Sequence, residues 1–224
     1  MRLCIVDTKS ANFNSVVQAL KRLGVEATIT ADLNELKQAD KLIMPGVGSA
    51  IAVMRGLLGC TTEEVIAQNE QQLMPHSELI DFITNFHKPL LGICLGMQVQ
   101  ARASQEVPLE AHCQKITTLG LVSGVVHLLR AHDPQTWAEL PLPHMGWNTV
   151  HHNDHPLFKG IEQDSYFYFV HSYALDVGPN TIASCNYGQD FSAAIARNNF
   201  MGVQFHPEKS GPVGAKLLQN FIDL

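Results

Sequence analysis

Apolar positions along the chain fall into short continuous runs separated by longer amphipathic stretches. Leu3-Cys4-Ile5-Val6 is apolar throughout, the pattern of a strand covered on both faces. Asn12 to Leu23 instead sets Val16, Val17, Leu20 and Leu23 on one helical face, and Gly24 is the kind of residue that ends such a helix. A strand at Val25 to Thr30, a short helix over Leu33 to Lys37 and a strand at Lys41 to Met44 continue the alternation until Pro45-Gly46-Val47-Gly48 breaks it. Helical sequence runs on to about Phe86, interrupted near Pro75, and Pro89-Leu90-Leu91-Gly92-Ile93 forms another buried strand leading into Cys94. Strands alternating with helices predict an α/β fold with a mainly parallel sheet flanked by helices.

Beyond about Leu121 the strand-like runs shorten: Val122 to Leu129, Gly146 to His151, Tyr166 to Val170, Thr181 to Tyr187, Ser192 to Ala196 and Phe200 to Phe205. They read as later strands and hairpins of the same domain. Gly211 to Leu224 closes the chain as an amphipathic helix burying Val213, Leu217, Leu218 and Phe221. With no repeat, low-complexity tract or linker, residues 1–224 are expected to form one domain.

Composition excludes several classes. Twenty-one acids against 15 bases give a formal charge of −6, which is not that of a nucleic-acid binder. The apolar runs fall far short of the roughly 20 residues of a membrane span, and the apolar start at Leu3 to Val6 is too short for a secretory signal, so a cytoplasmic location is expected. The five cysteines, Cys4, Cys60, Cys94, Cys113 and Cys185, are odd in number and hold no CxxC pair, which argues against disulfides or a zinc site. His144, His151, His152 and His155 show no ligand spacing and read as loop and interface histidines, so neither metal nor cofactor is expected.

Two segments carry chemistry. Gly92-Ile93-Cys94-Leu95-Gly96 places a cysteine between two glycines where a buried strand turns into a helix, the layout of a nucleophile elbow. The helix start aims N–H groups at the sulfur and favours a thiolate. Taken alone, the motif fits a buried structural cysteine equally well. Gly202-Val203-Gln204-Phe205-His206-Pro207-Glu208 ends a strand on a histidine with an acid two residues on, so that His206 can take the thiol proton and Glu208 can fix the imidazole tautomer. A free thiol of pKa near 8.5 is only about 3% ionised at pH 7, and lowering it to about 6 takes roughly 3.4 kcal/mol, within reach of a histidine partner and a helix start.

Leu91-Gly92-Ile93-Cys94-Leu95-Gly96-Met97-Gln98 together with Val203-Gln204-Phe205-His206-Pro207-Glu208 resembles the paired signature of the class I (triad) glutamine amidotransferases. Within that family, Pro45-Gly46-Val47-Gly48-Ser49, Met145-Gly146-Trp147-Asn148, Tyr168-Phe169-Val170-His171-Ser172-Tyr173 and Lys209-Ser210 are similar to the branch made up of the glutaminase subunits of imidazole glycerol phosphate synthases. The resemblance runs from Arg2 to Phe221. It implies a flavodoxin-like architecture with a mixed sheet, L-glutamine as substrate, and a heterodimer with a cyclase subunit that consumes the ammonia for histidine biosynthesis. It further implies Cys94 as nucleophile, His206 as general base and acid, and Glu208 as the group that orients it. The oxyanion donors are then the N–H groups of Leu95 and Val47, worth roughly 2.7 to 4 kcal/mol each. Glutamine contacts fall to Gly46, Gln98, Glu106, Ser172 and Tyr173, and the partner contact to Trp147, Asn148, Tyr168 and Lys209.

The sequence departs from the family pattern twice: Gly59 to Pro75 is longer than usual, and Asp7 to Asn12 lacks the usual aromatic and glycine. Alternatives on the same residues are a triad amidotransferase serving another synthase, a peptidase or gamma-glutamyl hydrolase on the same elbow, and a regulatory subunit without activity. The partner motifs distinguish the first, ammonia release from free glutamine the second, and the intact triad argues against the third.

Overall fold

The computed structural model describes residues 1–10, 13–71, 73–109, 111–130, 132–133 and 135–224, so the predicted helix start at Asn12 and part of the loop before it lie outside the described residues. Strand β1 (Leu3–Val6) alternates across the sheet: Leu3 and Ile5 join the core on one face, Cys4 and Val6 the core on the other. A strand with both faces apolar needs helices on both sides, and the sequence supplies them. Helix α1 (Phe13–Arg22) buries Val16, Ala19 and Leu20, then stops at Gly24, whose φ of +75° suits a residue without a side chain. Strand β2 (Ala27–Thr30), helix α2 (Leu33–Leu36, capped by Asp32) and strand β3 (Lys41–Gly46) follow as expected.

The helical stretch divides into α3 (Ala50–Leu58), α4 (Thr62–Glu70) and α5 (Glu78–Thr84), capped by Ser49, Thr61 and Ser77. The long Gly59–Pro75 segment is therefore mostly α4. Thr61 and Glu64 form a capping box, Val65 is buried, and Asn69 accepts from the Thr117 N–H, which pins the helix to the edge of a small sheet. Strand β4 (Leu90–Cys94) then runs straight into α6 (Leu95–Gln98).

The remaining strands are β5 (Ala103–Ser104), β6 (Ile116–Thr117), β7 (Val125–Leu128), β8 (His144–His152), β9 (Ser165–His171), β10 (Tyr173–Leu175), β11 (Thr181–Asn186), β12 (Asp190–Arg197) and β13 (Phe200–Val203). Helix α7 (Gly211–Asp223) buries Leu217, Leu218 and Phe221 as expected, whereas Val213 is only partly covered. None of the helices among the described residues is long and apolar enough to cross a membrane.

Nine strands form one mixed sheet in the order β2-β1-β3-β4-β13-β12-β11-β8-β9. Its first half is parallel through β13, and its second half antiparallel. The second half is thus not a set of simple hairpins added in sequence: β5, β6, β7 and β10 leave to make a separate four-stranded sheet. Helices α1 and α7 cover one face of the main sheet, and α3, α4 and α5 the other. The decisive feature is that β3, β4 and β13 are adjacent and parallel, with Gly46 level with Cys94 and Val203 level with Ile93. Their carboxyl ends open at one edge, where parallel sheets bind ligands.

Candidate active site

Cys94 ends β4 with φ +55° and ψ −113°, in the left-handed half of the map that side-chain-bearing residues avoid. The flanking glycines make this turn possible. A Cβ on Gly96 would lie 1.6 Å from the Met44 carbonyl oxygen, and one on Gly92 would lie 2.3 Å from the Gly96 oxygen. The chain therefore folds tightly enough to lift the sulfur above the sheet. The Leu95 N–H lies in the first turn of α6, where no intrahelical acceptor exists.

His206 arrives three residues past the end of β13, and neighbouring groups hold its backbone on both sides. Its N–H donates to the Tyr168 carbonyl across 2.9 Å. The Ser210 hydroxyl donates to the His206 carbonyl at 2.6 Å and accepts from the Tyr168 N–H at 3.0 Å. Pro207 then starts a 3-10 turn that brings Glu208 back under the ring, with Nδ1 of His206 2.8 Å from Oε1 of Glu208. The two side chains are 6% and 3% exposed. Burial opposes charge on His206, yet hydrogen bonds to Cys94 and Glu208 and their charges outweigh it and push its pKa up to about 10. The His206 imidazole therefore carries a proton at neutral pH.

Two neighbours fix the sulfur further: the Gln204 amide donates toward Sγ at 3.7 Å, and Sγ lies 3.9 Å from the Val170 carbonyl. Gln204 is fully buried, and its Oε1 accepts from Nε2 of Gln98 at 2.9 Å. Gln98 spends its second N–H on the Tyr173 carbonyl at 2.8 Å, which leaves its buried Oε1 without a protein partner.

The cleft above Cys94 has a volume of about 340 Å³, within the range of small-molecule sites. Of the sequence-predicted residues it brings together Val47, Cys94, Leu95, Gln98, Glu106, Ser172, Tyr173, His206 and Lys209. Glu106 arrives from the segment after β5, and its Oε2 accepts from the Ala50 N–H at 2.6 Å at the start of α3. Burial pushes its pKa up against that hydrogen bond.

Gly46 and Glu208 lie behind the cleft, around a small cavity shared with Ser15, Ile93 and His206. Gly46 packs against Leu95, whose Cβ would sit 2.8 Å from an added Cβ, and so backs the elbow without facing the cleft. Val47 lines the cleft, but its N–H donates to the Ser10 carbonyl at 3.3 Å, so the second oxyanion donor points elsewhere in this structure.

Trp147, Tyr168 and Lys209 form an outer ladder: the two rings lie 6.0 Å apart edge-on, and the Lys209 ammonium is 6.0 Å from the Tyr168 ring. Asn148 is not part of it. Its amide donates to the Asn186 carbonyl at 2.9 Å and lies 3.2 Å from Nε2 of His144, on the inner side of β8.

His144 corrects the sequence reading. It is 3% exposed, stacked on Tyr187 and Phe169, and not a loop or interface residue. His152 also stacks, on Phe158, and His155 caps a 3-10 turn by accepting from the Leu157 N–H, whereas His151 is exposed. Gln204, Ser210, His144 and His171 escaped sequence reasoning as site-builders. Three of them stand inside the quoted motifs, and for His144 and His171 a polar residue at an inward strand position was the signal available.

Comparisons with known proteins give the family of the chain. The model of the glutamine amidotransferase class-I family matches residues 4–224, and the chain belongs to that family. Among its relatives, the protein named imidazole glycerol phosphate synthase subunit HisH of Vibrio cholerae is 49% identical over 98% of this chain and 97% of its own length. The protein of the same name from Haemophilus influenzae is 47% identical over 100% of this chain and 98% of its own. Among solved structures, one described as a glutamine amidotransferase superposes with a TM-score of 0.62 at 17% identity, over 98% of this chain and 97% of that one. PurLQS from Thermotoga maritima gives 0.61 at 16% identity, over 99% and 97%. At such identities these two show the fold alone.

Proposed function

We propose that this chain is the glutaminase subunit of an imidazole glycerol phosphate synthase, a single domain that hydrolyses L-glutamine and passes the ammonia to a cyclase subunit. Relatives 43–49% identical over nearly the whole length support that assignment. The observation that carries the chemistry is His206 held between Cys94 and Glu208, with a proton kept on the imidazole.

The Cys94 thiolate attacks the side-chain amide carbon of glutamine, and the carbonyl oxygen becomes an oxyanion accepted by the Leu95 N–H. The protonated His206 gives its proton to the departing nitrogen, so that the C–N bond breaks, ammonia leaves and a thioester remains. His206, now neutral, takes a proton from water, and the resulting hydroxide opens the thioester to release glutamate and restore the thiolate. Glu208 holds the imidazole through Nδ1 and offsets its charge. Oε1 of Gln98, lacking a partner and unable to flip because both its N–H groups are engaged, accepts from an N–H of the substrate. Glu106 offers a carboxylate to the substrate ammonium, and Ser172 and Tyr173 line the same cleft, Tyr173 beside Gln98.

The cyclase is proposed to dock over Trp147, Tyr168 and Lys209. All five cysteines stand free, which fits the reducing cytoplasm where this chain is proposed to work. Ammonia release from glutamine, measured with the cyclase and its nucleotide ligand present, tests the reading. Loss in Cys94→Ala with complex formation retained is expected, and release by that variant near the wild-type rate would overturn it.

A further inference from the structure

Two buried histidines outside the triad form a relay with a single permitted direction. His144 and His171 pair across β8 and β9, so their side chains share the inner face. They are 3% and 6% exposed, and their rings meet with Nδ1 of His144 3.0 Å from Nε2 of His171. The proton positions follow from the far end. Nδ1 of His171 lies 2.9 Å from the Tyr173 carbonyl, which can only accept, so Nδ1 carries the hydrogen. Burial pushes the pKa of His171 down to about 3 and that of His144 down to about 4, so each ring holds one proton at neutral pH. Nε2 of His171 is then a bare acceptor, and His144 must donate to it from Nδ1. Nε2 of His144 in turn accepts from the Asn148 amide at 3.2 Å, whose other hydrogen goes to the Asn186 carbonyl at 2.9 Å.

The Tyr173 carbonyl at which this chain of bonds ends is the same one that accepts from Gln98. Whatever holds that carbonyl therefore holds the Gln98 amide, and with it the partnerless Oε1 in the cleft wall. At the other end, β8 turns Met145 and Trp147 outward, 61% and 55% exposed, between the inward His144 and Asn148. The relay thus runs along the inner face of the strand, behind the exposed Met145 and Trp147, to the substrate wall.

We propose that His144 and His171 are a positioning pair that fixes the Gln98 amide through the Tyr173 carbonyl, so that glutamine affinity depends on the single hydrogen bond between the two imidazoles. The proposal rests on the glutaminase reading above for its substrate, but not for its tautomers. Neither histidine touches the reacting atoms, so the effect falls on KM for glutamine with kcat little changed.

The test compares His144→Phe with His144→Asn in the full chain saturated with the cyclase. Phenylalanine keeps the stack on Tyr187 and Phe169 but has no N–H, whereas the Asn amide places a donor near the position of Nδ1 and gives up the ring. His144→Phe should raise KM for glutamine about tenfold with kcat within about threefold, as for loss of one buried hydrogen bond. His144→Asn should return KM to within about threefold of wild type despite a lower Tm. A wild-type KM in His144→Phe, or equal rises in both variants, would overturn the proposal, because the ring's shape alone would then matter. Nitrogen NMR of the wild-type imidazoles decides independently of activity and of variant folding. Both histidines should be neutral Nδ1–H tautomers between pH 6 and 8, and an Nε2–H tautomer in either ring overturns the relay. If the wild-type complex releases no ammonia from glutamine, the glutaminase reading fails and the tautomer result still stands or falls by itself.

Discussion

Nδ1 of His206 lies 2.8 Å from Oε1 of Glu208, and the carboxylate and the ring are almost wholly withdrawn from water. The geometry makes Glu208 an orienting and charge-balancing group, while only the imidazole transfers protons to and from the substrate. Removing the two therefore has unequal consequences. In a Ser–His–Asp protease, losing the acid costs roughly a hundredfold less than losing the base. Turnover of the cyclase-bound glutaminase should fall much further in His206→Ala than in Glu208→Gln. Equal or reversed losses in folded variants would contradict the roles.

The same pair makes stability depend on pH. Because the folded-state pKa of His206 is raised above its ordinary 6.5 to about 10, its protonation stabilises the fold fully below pH 6.5, and that contribution disappears as pH rises through about 10. Thermal unfolding of the wild type should therefore show Tm dropping between pH 7 and 10 more steeply than in His206→Asn. Parallel curves for the two proteins would mean that the proton is not held there.

Glycine at the elbow can be tested against glycine elsewhere. An alanine at Gly96 would drive its Cβ to 1.6 Å from a strand carbonyl, so β3 and α6 would have to separate. Gly24→Ala meets nothing within 4 Å and suffers only from its φ of +75°. Chemical denaturation should show a loss of about 3 kcal/mol or more for Gly96→Ala and about 1 kcal/mol for Gly24→Ala. A mild effect at Gly96 would imply an elbow looser than described.

The alternation of strand and helix through Cys94 was legible because β1, β3 and β4 are buried on both faces, so their apolar runs are continuous. The paired motifs likewise picked out Cys94, His206 and Glu208, which the structure brings together, since each motif follows such a strand. Strands β5 and β6 were not legible, because two-residue strands have no periodicity and exist only through their pairing. The role of His144 was hidden for a different reason. Strand β8 carries His144 and Asn148 inward and Met145 and Trp147 outward, so its hydrophobic alternation points the wrong way. That inversion is what a polar network on one side of a strand and a docking surface on the other would produce. The direction of the Val47 N–H lies beyond any pattern of residue types, since it depends on one peptide plane.

The cysteines should differ sharply in reactivity. Burial raises the thiol pKa of Cys4 and Cys60, and pushes that of Cys185 up to about 12. Cys94 faces the cleft beside the protonated His206. Iodoacetamide at neutral pH should modify Cys94 first, and glutamine should slow that reaction, as read by peptide mass spectrometry. Preferential labelling of Cys4 or Cys185 would contradict the site assignment.

The last expectation concerns what the partner does. Ammonia released into neutral water becomes ammonium, which is no nucleophile, so a glutaminase that worked alone would waste its substrate. This structure shows one way to prevent that: the Leu95 N–H is available to an oxyanion, but the Val47 N–H is occupied by the Ser10 carbonyl. Gly48, at φ +93° with nothing within 4 Å of an added Cβ, gives the neighbouring peptide room to turn. Lys209 lines the cleft and also reaches the outer ladder of Tyr168 and Trp147, so pressure on that surface has a short path to the oxyanion loop. If docking turns the Val47 peptide inward, the hole gains one donor, and glutaminase turnover should rise by about a hundred- to a thousandfold. Turnover measured with and without saturating cyclase and its nucleotide ligand checks the size of the effect, and full activity in the isolated chain would reject the gating. Trp147→Ala and Lys209→Ala should each weaken complex formation or blunt the activation while leaving the basal fold intact. If both variants bind and respond as the wild type does, the docking surface lies elsewhere.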